Sequence, residues 1–249
     1  MRLDQFLVQH KNIESRTKAQ DLILNRNIFV NNKLVIKSSF DVTDLDTVEI
    51  QSQEILKYVS RAGLKLEGAI IKLDINLKNT VVLDIGQSTG GFTDCCLQQG
   101  AAKIIGFDVG EGQLHQKIKT DSRVTFFEKL NVKNLSMDKS FLAQIPVGGF
   151  DLLICDVSFI SLQHVVPNIH SYLKINGEYL FLIKPQFECG PENLDKNGIV
   201  KKKSTYLKIE TEMKNLFNNY FGTALNYFES NIRGKEGNLE FFIYGRNVK

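Results

Sequence analysis

The sequence predicts an α/β protein, a doubly wound and mostly parallel sheet carrying a small α+β module at its amino end, and three observations predict it. The run Val81-Val82-Leu83-Asp84-Ile85-Gly86-Gln87-Ser88-Thr89-Gly90-Gly91-Phe92-Thr93-Asp94 is a β-branched strand that closes on an acid and a glycine and then becomes helical. Downstream of it, the segments Lys103–Val109, Arg123–Glu128, Asp151–Val157 and Glu178–Lys184 read as strands separated by helical stretches. That alternation implies a parallel sheet with ligands at the carboxyl ends of its strands. Finally, 249 residues are more than one ordinary α/β domain of roughly 180 residues needs, which leaves room for an appended module.

The bulk properties narrow the function classes. A hydrophobic content of 43% supports a packed core, and no run of about 18 apolar residues could span a bilayer. The start, Met1-Arg2-Leu3-Asp4-Gln5, has no apolar signal-peptide region, so a cytoplasmic location is expected. The cysteines, Cys95-Cys96, Cys155 and Cys189, form no Cys-x-x-Cys pair, and no histidine stands at zinc-finger spacing. No metal site is expected, and the adjacent pair reads as small core residues. A net charge of +3 is only mildly basic, so a polyanion partner must be sought in local patches.

The first module is predicted to hold helices over Arg2–His10 and Ser15–Asn25, with Ser15 as an N-cap, and strands at Ile28–Val30, Lys33–Ile36 and Val48–Ile50. Asn31-Asn32 marks a hairpin turn between the first two strands. Residues 1–40 hold seven Lys/Arg against three acids. Arg2, Lys11, Arg16, Lys18 and Arg26 lie on or beside the helices, where they suit phosphate contacts that position RNA without reading its sequence. A solvated helix face is the alternative on charge alone. The polar bridge Gln51–Lys57 contains the expected boundary, giving modules of residues 1–57 and 58–249.

From Leu64 a helix is expected to turn Leu66, Ile70 and Leu73 inward and leave Lys65 on another face, an ordinary surface lysine when taken alone. In the central stretch, Gly90-Gly91 would let the main chain approach a ligand without Cβ interference. The glycines at 86, 90 and 91 do not spell the dinucleotide pattern Gly-x-Gly-x-x-Gly, and no P-loop lysine follows. Asp108 ends the second strand 24 residues after Asp84, where an acid accepts from ribose hydroxyls. Asn131 lies just beyond the third strand, where a polar loop asparagine is an ordinary residue. Asp156 reaches the active edge, and strand alternation turns Cys155 toward the core. Lys184 at the end of an apolar strand needs an acceptor. Residues Glu188–Val200 should form a mobile loop over the substrate side, and Lys201-Lys202-Lys203 opens the next helix. Thr223–Glu229 and Leu239–Tyr244 should close the sheet as an antiparallel pair, with Glu240 inside the last strand.

The wording Asp-Ile-Gly-x-Ser-Thr-Gly-Gly-Phe at 84–92 resembles motif I of Rossmann-like S-adenosylmethionine methyltransferases. More narrowly, it resembles the TlyA (hemolysin A) family of ribosomal RNA 2′-O-methyltransferases, relatives of the FtsJ enzymes. Ser60-Arg61-Ala62-Gly63-Leu64-Lys65 and Gly237-Asn238-x-Glu240 resemble further motifs of that family. Arg2-Leu3-Asp4, Ser15-Arg16-x-x-Ala19, Leu22-Ile23 and Ile28-x-Val30-Asn31-Asn32 resemble the S4 RNA-binding domain, with Asn27 where that pattern carries a glycine. Asparagine tolerates a positive φ there.

The resemblance implies S-adenosylmethionine held by Asp84, Gly86, Ser88, Thr89, Gly90, Phe92, Asp108 and Asn131. It also implies a Lys65-Asp156-Lys184-Glu240 tetrad. Lys184 would be the base, its pKa lowered by Lys65 and desolvation and opposed by the two carboxylates. The implied reaction is ribose 2′-O-methylation of cytidine in 16S and/or 23S ribosomal RNA, with ribosomal RNA or subunits as partner and no membrane partner. A non-catalytic ribosome-assembly factor and a membrane-active haemolysin are the rival readings. No Asp/Asn-Pro-Pro-aromatic segment for base N-methylation is present, and no cysteine stands beside a proline for C5 chemistry.

Overall fold

The computed structural model describes residues 1–24, 26–51, 56–234 and 237–249. Asn25, the expected end of the second helix, and residues 52–55, within the expected boundary, lie outside the described residues. So do residues 235–236 of the segment joining the last two strands. The chain separates into two compact units, Met1–Leu64 and Lys65–Lys249.

In the first unit, helices α1 (Leu3–His10) and α2 (Arg16–Leu24) accompany strands β1 (Ile28–Val30), β2 (Lys33–Leu34) and β3 (Val48–Ile50). The sheet order is β2-β1-β3, antiparallel throughout. Ser15 caps α2 as expected, its Oγ accepting from the Lys18 N–H at 3.2 Å. Asn31 and Asn32 both take positive φ, the backbone of a two-residue turn matched to strand twist, and Val30 pairs with Lys33 across it. Leu3, Leu7, Ala19, Leu22, Ile23, Ile28 and Val30 fill the core. Among the described residues after α2, the left-handed one is Arg26 (φ 60°), not Asn27. The reversal begins one residue earlier, with Arg26 N–H bonded to Ile23 O and Asn27 N–H to Leu22 O.

Helix α3 (Ala62–Leu73) precedes β4 (Val81–Ile85), α4 (Gly91–Gln98), β5 (Lys103–Phe107), α5 (Gln116–Lys119), β6 (Val124–Phe127), α6 (Lys139–Leu142) and β7 (Phe150–Cys155). Then come α7 (Val166–Ile169), β8 (Leu173–Ile183), α8 (Lys203–Phe221), β9 (Gly222–Glu229) and β10 (Phe241–Asn247). The seven-stranded sheet has the order β6-β5-β4-β7-β8-β10-β9. Strands β4 to β8 pair in parallel, whereas β10 is antiparallel to both β8 and β9. The chain winds outward from β4 to β6 and resumes at β7 on the other side of β4. The carboxyl end of β4 is therefore the topological switch point, where open α/β sheets leave a crevice.

The core explains why α8 docks. Ile209, Met213, Phe217 and Phe221 recur every four residues and form one buried face. Phe217 packs tilted against Tyr179 of β8 and Phe221 stacks on it, with centroids at 4.9 and 4.5 Å. Burying each such ring contributes about 1.5–3 kcal/mol.

Candidate active site

Four elements converge at the end of the sheet. Asp156 follows β7 directly and Lys184 follows β8. Because Phe241 pairs antiparallel with Ile183, Glu240 lies opposite Lys184. Glu240 was expected inside a strand, but it immediately precedes β10. Its carbonyl accepts from the Ser230 N–H at 2.8 Å, and two residues earlier the Asn238 carbonyl accepts from the Gly234 N–H at 2.9 Å. Lys65 arrives from the first turns of α3.

The four residues stand as two ion pairs. Lys184 Nζ is 2.6 Å from Asp156 Oδ1 and donates to Ser158 Oγ at 2.8 Å. Lys65 Nζ donates to Glu240 Oε2 at 2.5 Å. Lys65 is therefore not a surface lysine. It is 5% exposed, and the Glu240 carboxylate is what makes burial of its ammonium tolerable. A Cβ at Gly234 would come within 2.7 Å of Glu240 Oε1, so a side chain there would press on the carboxylate that pairs with Lys65. Cys155 is fully buried, and burial pushes its thiol well above the usual range, so it is no nucleophile.

The cradle sits at the switch point. Asp84 is completely buried; its Oδ2 accepts from Thr93 Oγ1 at 2.6 Å, which in turn accepts from Gln87 Nε2 at 2.8 Å. Asp84 Oδ1 is sealed from solvent and has no hydrogen-bond partner. Asp108 receives the Ser88 N–H on Oδ2 (2.9 Å) and the Gly110 N–H on Oδ1 (2.7 Å). Each of its oxygens thus keeps a second acceptor site for a diol. The loop after β6 is bound to this one by Lys129 N–H on Gly110 O and Leu130 N–H on Asp108 O, which brings Asn131 to the same rim. Asn131 also caps the following 3-10 turn, its Oδ1 accepting from the Lys133 N–H at 3.0 Å. Ser88, Thr89 and Val109 are exposed. A sealed carboxylate oxygen without a donor, a carboxylate with free acceptor sites and an exposed valine beside it suit a ribonucleoside bearing an amine.

One expectation about this stretch changes. The Phe92 ring is buried against Phe242 (centroids 6.3 Å), so the side chain serves the core and only its backbone belongs to the cradle. Two of the glycines are closely approached by the protein itself. A Cβ at Gly86 (φ 80°) would meet Asp156 O at 2.9 Å, and one at Gly90 (φ 90°) would meet Leu114 Cδ1 at 2.9 Å. Gly86 is thus what lets the β4 turn lie against the Asp156 backbone.

Burial, supported by the nearby charges of Asp156 and Asp108, pushes Asp84 up to about 7 despite its bond from Thr93. The folded pKa lies above the unfolded one, so the folded state binds the extra proton and stability falls as pH rises from about 4 to 7. Asp84→Asn should flatten that slope. Thermal midpoints of both proteins across pH 4–8 check it, and parallel curves would reject the assignment.

The basic residues of the first unit are partly committed to structure. Buried Asp4 accepts from Arg2 Nε and Arg16 Nη2, at 3.0 and 2.9 Å, and from Gln20 Nε2 at 3.0 Å. These bonds hold its carboxyl well below the usual range. Both guanidiniums stay about half exposed and are oriented by Asp4. Lys18 is paired with Glu14 at 2.6 Å. Lys11 and Arg26 are exposed.

Several residues escaped the sequence reading. Gln87 and Thr93 carry the hydrogen-bond chain to Asp84, and Gly106 is glycine because a Cβ there would lie 2.2 Å from the Gln87 amide carbon. Phe159, three residues after Asp156, is 91% exposed with φ 62°, and its ring lies 5.1 Å from that of Phe187. A bulky residue in the left-handed region costs about 1–3 kcal/mol and marks functional sites. The segment 188–200, expected as a mobile loop, has a bridge between Leu194 and Val200. It is also tied down by Asn238, which donates to Gly198 O at 2.9 Å and accepts from the Val200 N–H at 3.3 Å.

The sheet order, the switch-point cradle and the lysine–carboxylate pairs at its edge together define a methyltransferase of the Rossmann-like class. The FtsJ-like methyltransferase family model matches residues 58–247, and the S4 domain model matches residues 1–48. Hemolysin A of Brachyspira hyodysenteriae is 38% identical over 98% of this chain and 99% of its own length. The 23S rRNA (cytidine-2′-O)-methyltransferase TlyA of Campylobacter jejuni is 36% identical over 98% of both chains. A solved structure described as a hemolysin from Streptococcus thermophilus superposes with a TM-score of 0.76 at 31% identity, covering all of this chain and 89% of that one. The chain belongs to the FtsJ-like methyltransferase family, within its hemolysin A/TlyA branch.

Proposed function

We propose that this protein methylates the ribose 2′-hydroxyl of a cytidine in 16S or 23S ribosomal RNA, using S-adenosylmethionine, in the cytoplasm. The observation that carries the reading is the pair of lysine–carboxylate contacts at one end of the sheet, beside a cradle suited to a nucleoside. Residues 1–57 form the RNA-binding module and linker, and residues 58–249 the catalytic domain. Bound S-adenosylmethionine supplies the methyl group. Asp84, the backbone from Gly86 to Phe92, Asp108 and Asn131 hold it, with the Asp108 carboxylate accepting from the ribose hydroxyls.

Lys184 Nζ takes the proton of the target 2′-hydroxyl. Asp156 stabilises that ammonium by its charge once it forms, and Ser158 fixes its direction by accepting a hydrogen bond from it. Lys65 and Glu240 hold the far side of the site. The exposed ring of Phe159, backed by the half-buried ring of Phe187, offers a face on which an unstacked base can rest. Arg2, Lys11, Arg16, Lys18 and Arg26 contact phosphates of the same RNA; Asp4 presents the two arginines in fixed directions. Among the described residues no helix is long and apolar enough to cross a membrane, which leaves the haemolysin reading without a spanning segment.

The cofactor assignment is tested with Asp108→Ala. Calorimetry should show S-adenosylmethionine affinity weakened by about 10-fold or more, since hydrogen bonds to a charged group contribute roughly 1.5–3 kcal/mol. Unchanged affinity would remove Asp108 from the cofactor site.

A further inference from the structure

We infer that Glu188 is a positioning residue, a clamp that holds the Asp156 and Lys184 segments in register beyond the ends of their strands; the inference rests on Lys184 and Asp156 being the reacting pair. The β7–β8 ladder ends at the Cys155–Phe181 pair. Neither Asp156 nor Lys184 is therefore positioned by sheet hydrogen bonds between their strands, yet their side chains meet at 2.6 Å. Beyond the ladder, Glu188 ties the two segments together. Its Oε2 accepts from Ser161 Oγ at 2.6 Å and its Oε1 from the Leu162 N–H at 3.0 Å. Both carboxylate oxygens thus reach donors on the segment that carries Asp156, Ser158 and Phe159.

Glu188 is itself fixed relative to Lys184. Phe187 N–H bonds to Lys184 O at 2.9 Å and Glu188 N–H to Pro185 O at 3.1 Å, so one tight turn spans base and clamp. On the other side, Ser161 Oγ also accepts from the Gln163 N–H at 3.1 Å, which locks the serine rotamer that meets Glu188. Between Asp156 and Ser161 lies Phe159, held in the left-handed region. Such a conformation persists only where its surroundings over-determine it. The Glu188 contacts two and three residues later, together with the Phe187 ring, supply that constraint. Burial pushes the Glu188 carboxyl up, against the two donors that favour its ionised form. A carboxylate kept there at a desolvation cost, where an apolar residue would pack, has work to do in geometry.

The test uses the full-length protein and labelled methyl transfer to purified ribosomal subunits lacking the modification. Wild type is compared with Glu188→Ala, Glu188→Gln, Ser161→Ala, the Glu188→Ala/Ser161→Ala double variant and Lys184→Ala, with cofactor calorimetry alongside. Glu188→Ala should lower kcat about 100-fold, the effect of a misplacement near 1 Å, while cofactor affinity and KM for the subunits stay at wild-type values. Glu188→Gln keeps one acceptor oxygen and should recover part of kcat. Ser161→Ala should lose less than Glu188→Ala, and the double variant no more, because the two act through one contact. A Glu188→Ala kcat within about twofold of wild type, with Lys184→Ala inactive, overturns the clamp alone. Activity retained in Lys184→Ala overturns the base assignment and the clamp with it. Should Glu188→Ala not fold, Glu188→Gln and Ser161→Ala decide on the same kcat criterion.

Discussion

Lys184→Ala is expected to abolish methyl transfer, by about 10²–10⁴-fold, while leaving S-adenosylmethionine affinity intact. The magnitude is that of a lost general base. The separation of effects follows from geometry, since Lys184 contacts Asp156 and Ser158, whereas the cradle is built from Asp84, the turn after it and Asp108. Lys184→Arg sharpens the test. A guanidinium can keep the ion pair with Asp156 but cannot be deprotonated in a protein. If Lys184 only supplied charge, the arginine variant would retain much of the activity; if it accepts a proton, arginine should be as inactive as alanine. Labelled transfer to purified 30S and 50S subunits lacking the modification, followed by mass mapping, reads the chemistry, and calorimetry reads the cofactor. Full activity in Lys184→Ala would remove that residue from the mechanism.

What could be read in the sequence was whatever local chemistry dictates. The run 81–94 had to be strand, tight turn and helix. Asn31-Asn32 had to turn between two short strands, and Ser15 had to cap a helix, because each depends on neighbours within a few residues. The ends of the elements and the partners of polar groups were less legible. Lys65 reads as a surface lysine until Glu240, 175 residues away, is placed beside it. Arg2 and Arg16 read as free cations until Asp4 is seen to collect both. The sequence does not show that the Asp156 carbonyl crowds Gly86 and that Leu114 crowds Gly90. The helix reversal at Arg26 shifted one residue from Asn27 because hydrogen bonding to Ile23 and Leu22, not residue preference, fixed where the chain turns. Even Glu188 was visible only as a letter after Lys184-Pro185-Gln186-Phe187; its role requires Ser161 from the neighbouring strand's loop.

The buried Lys65–Glu240 pair carries the largest expected effect on stability. With both side chains almost wholly enclosed, at 6% and 4% exposure, Glu240→Ala would strand an ammonium without a counter-charge. Removing one partner of such a pair costs about 3–5 kcal/mol. For a unit of this size each kcal/mol moves the midpoint by about 2–4 °C, so the thermal midpoint should fall by roughly 6–20 °C. Replacing both residues, as Lys65→Met with Glu240→Leu, removes the desolvation cost together with the attraction and should bring stability back near wild type. Gly234 sits against the Glu240 carboxylate, so the leucine must find room beside its backbone and recovery should fall slightly short. The double variant separates architecture from chemistry. If the pair belongs to the reacting site, the restored protein will fold, bind S-adenosylmethionine and still fail to label ribosomal RNA. A double variant that is both stable and active would make the pair a structural strut and confine the reaction to Asp156 and Lys184.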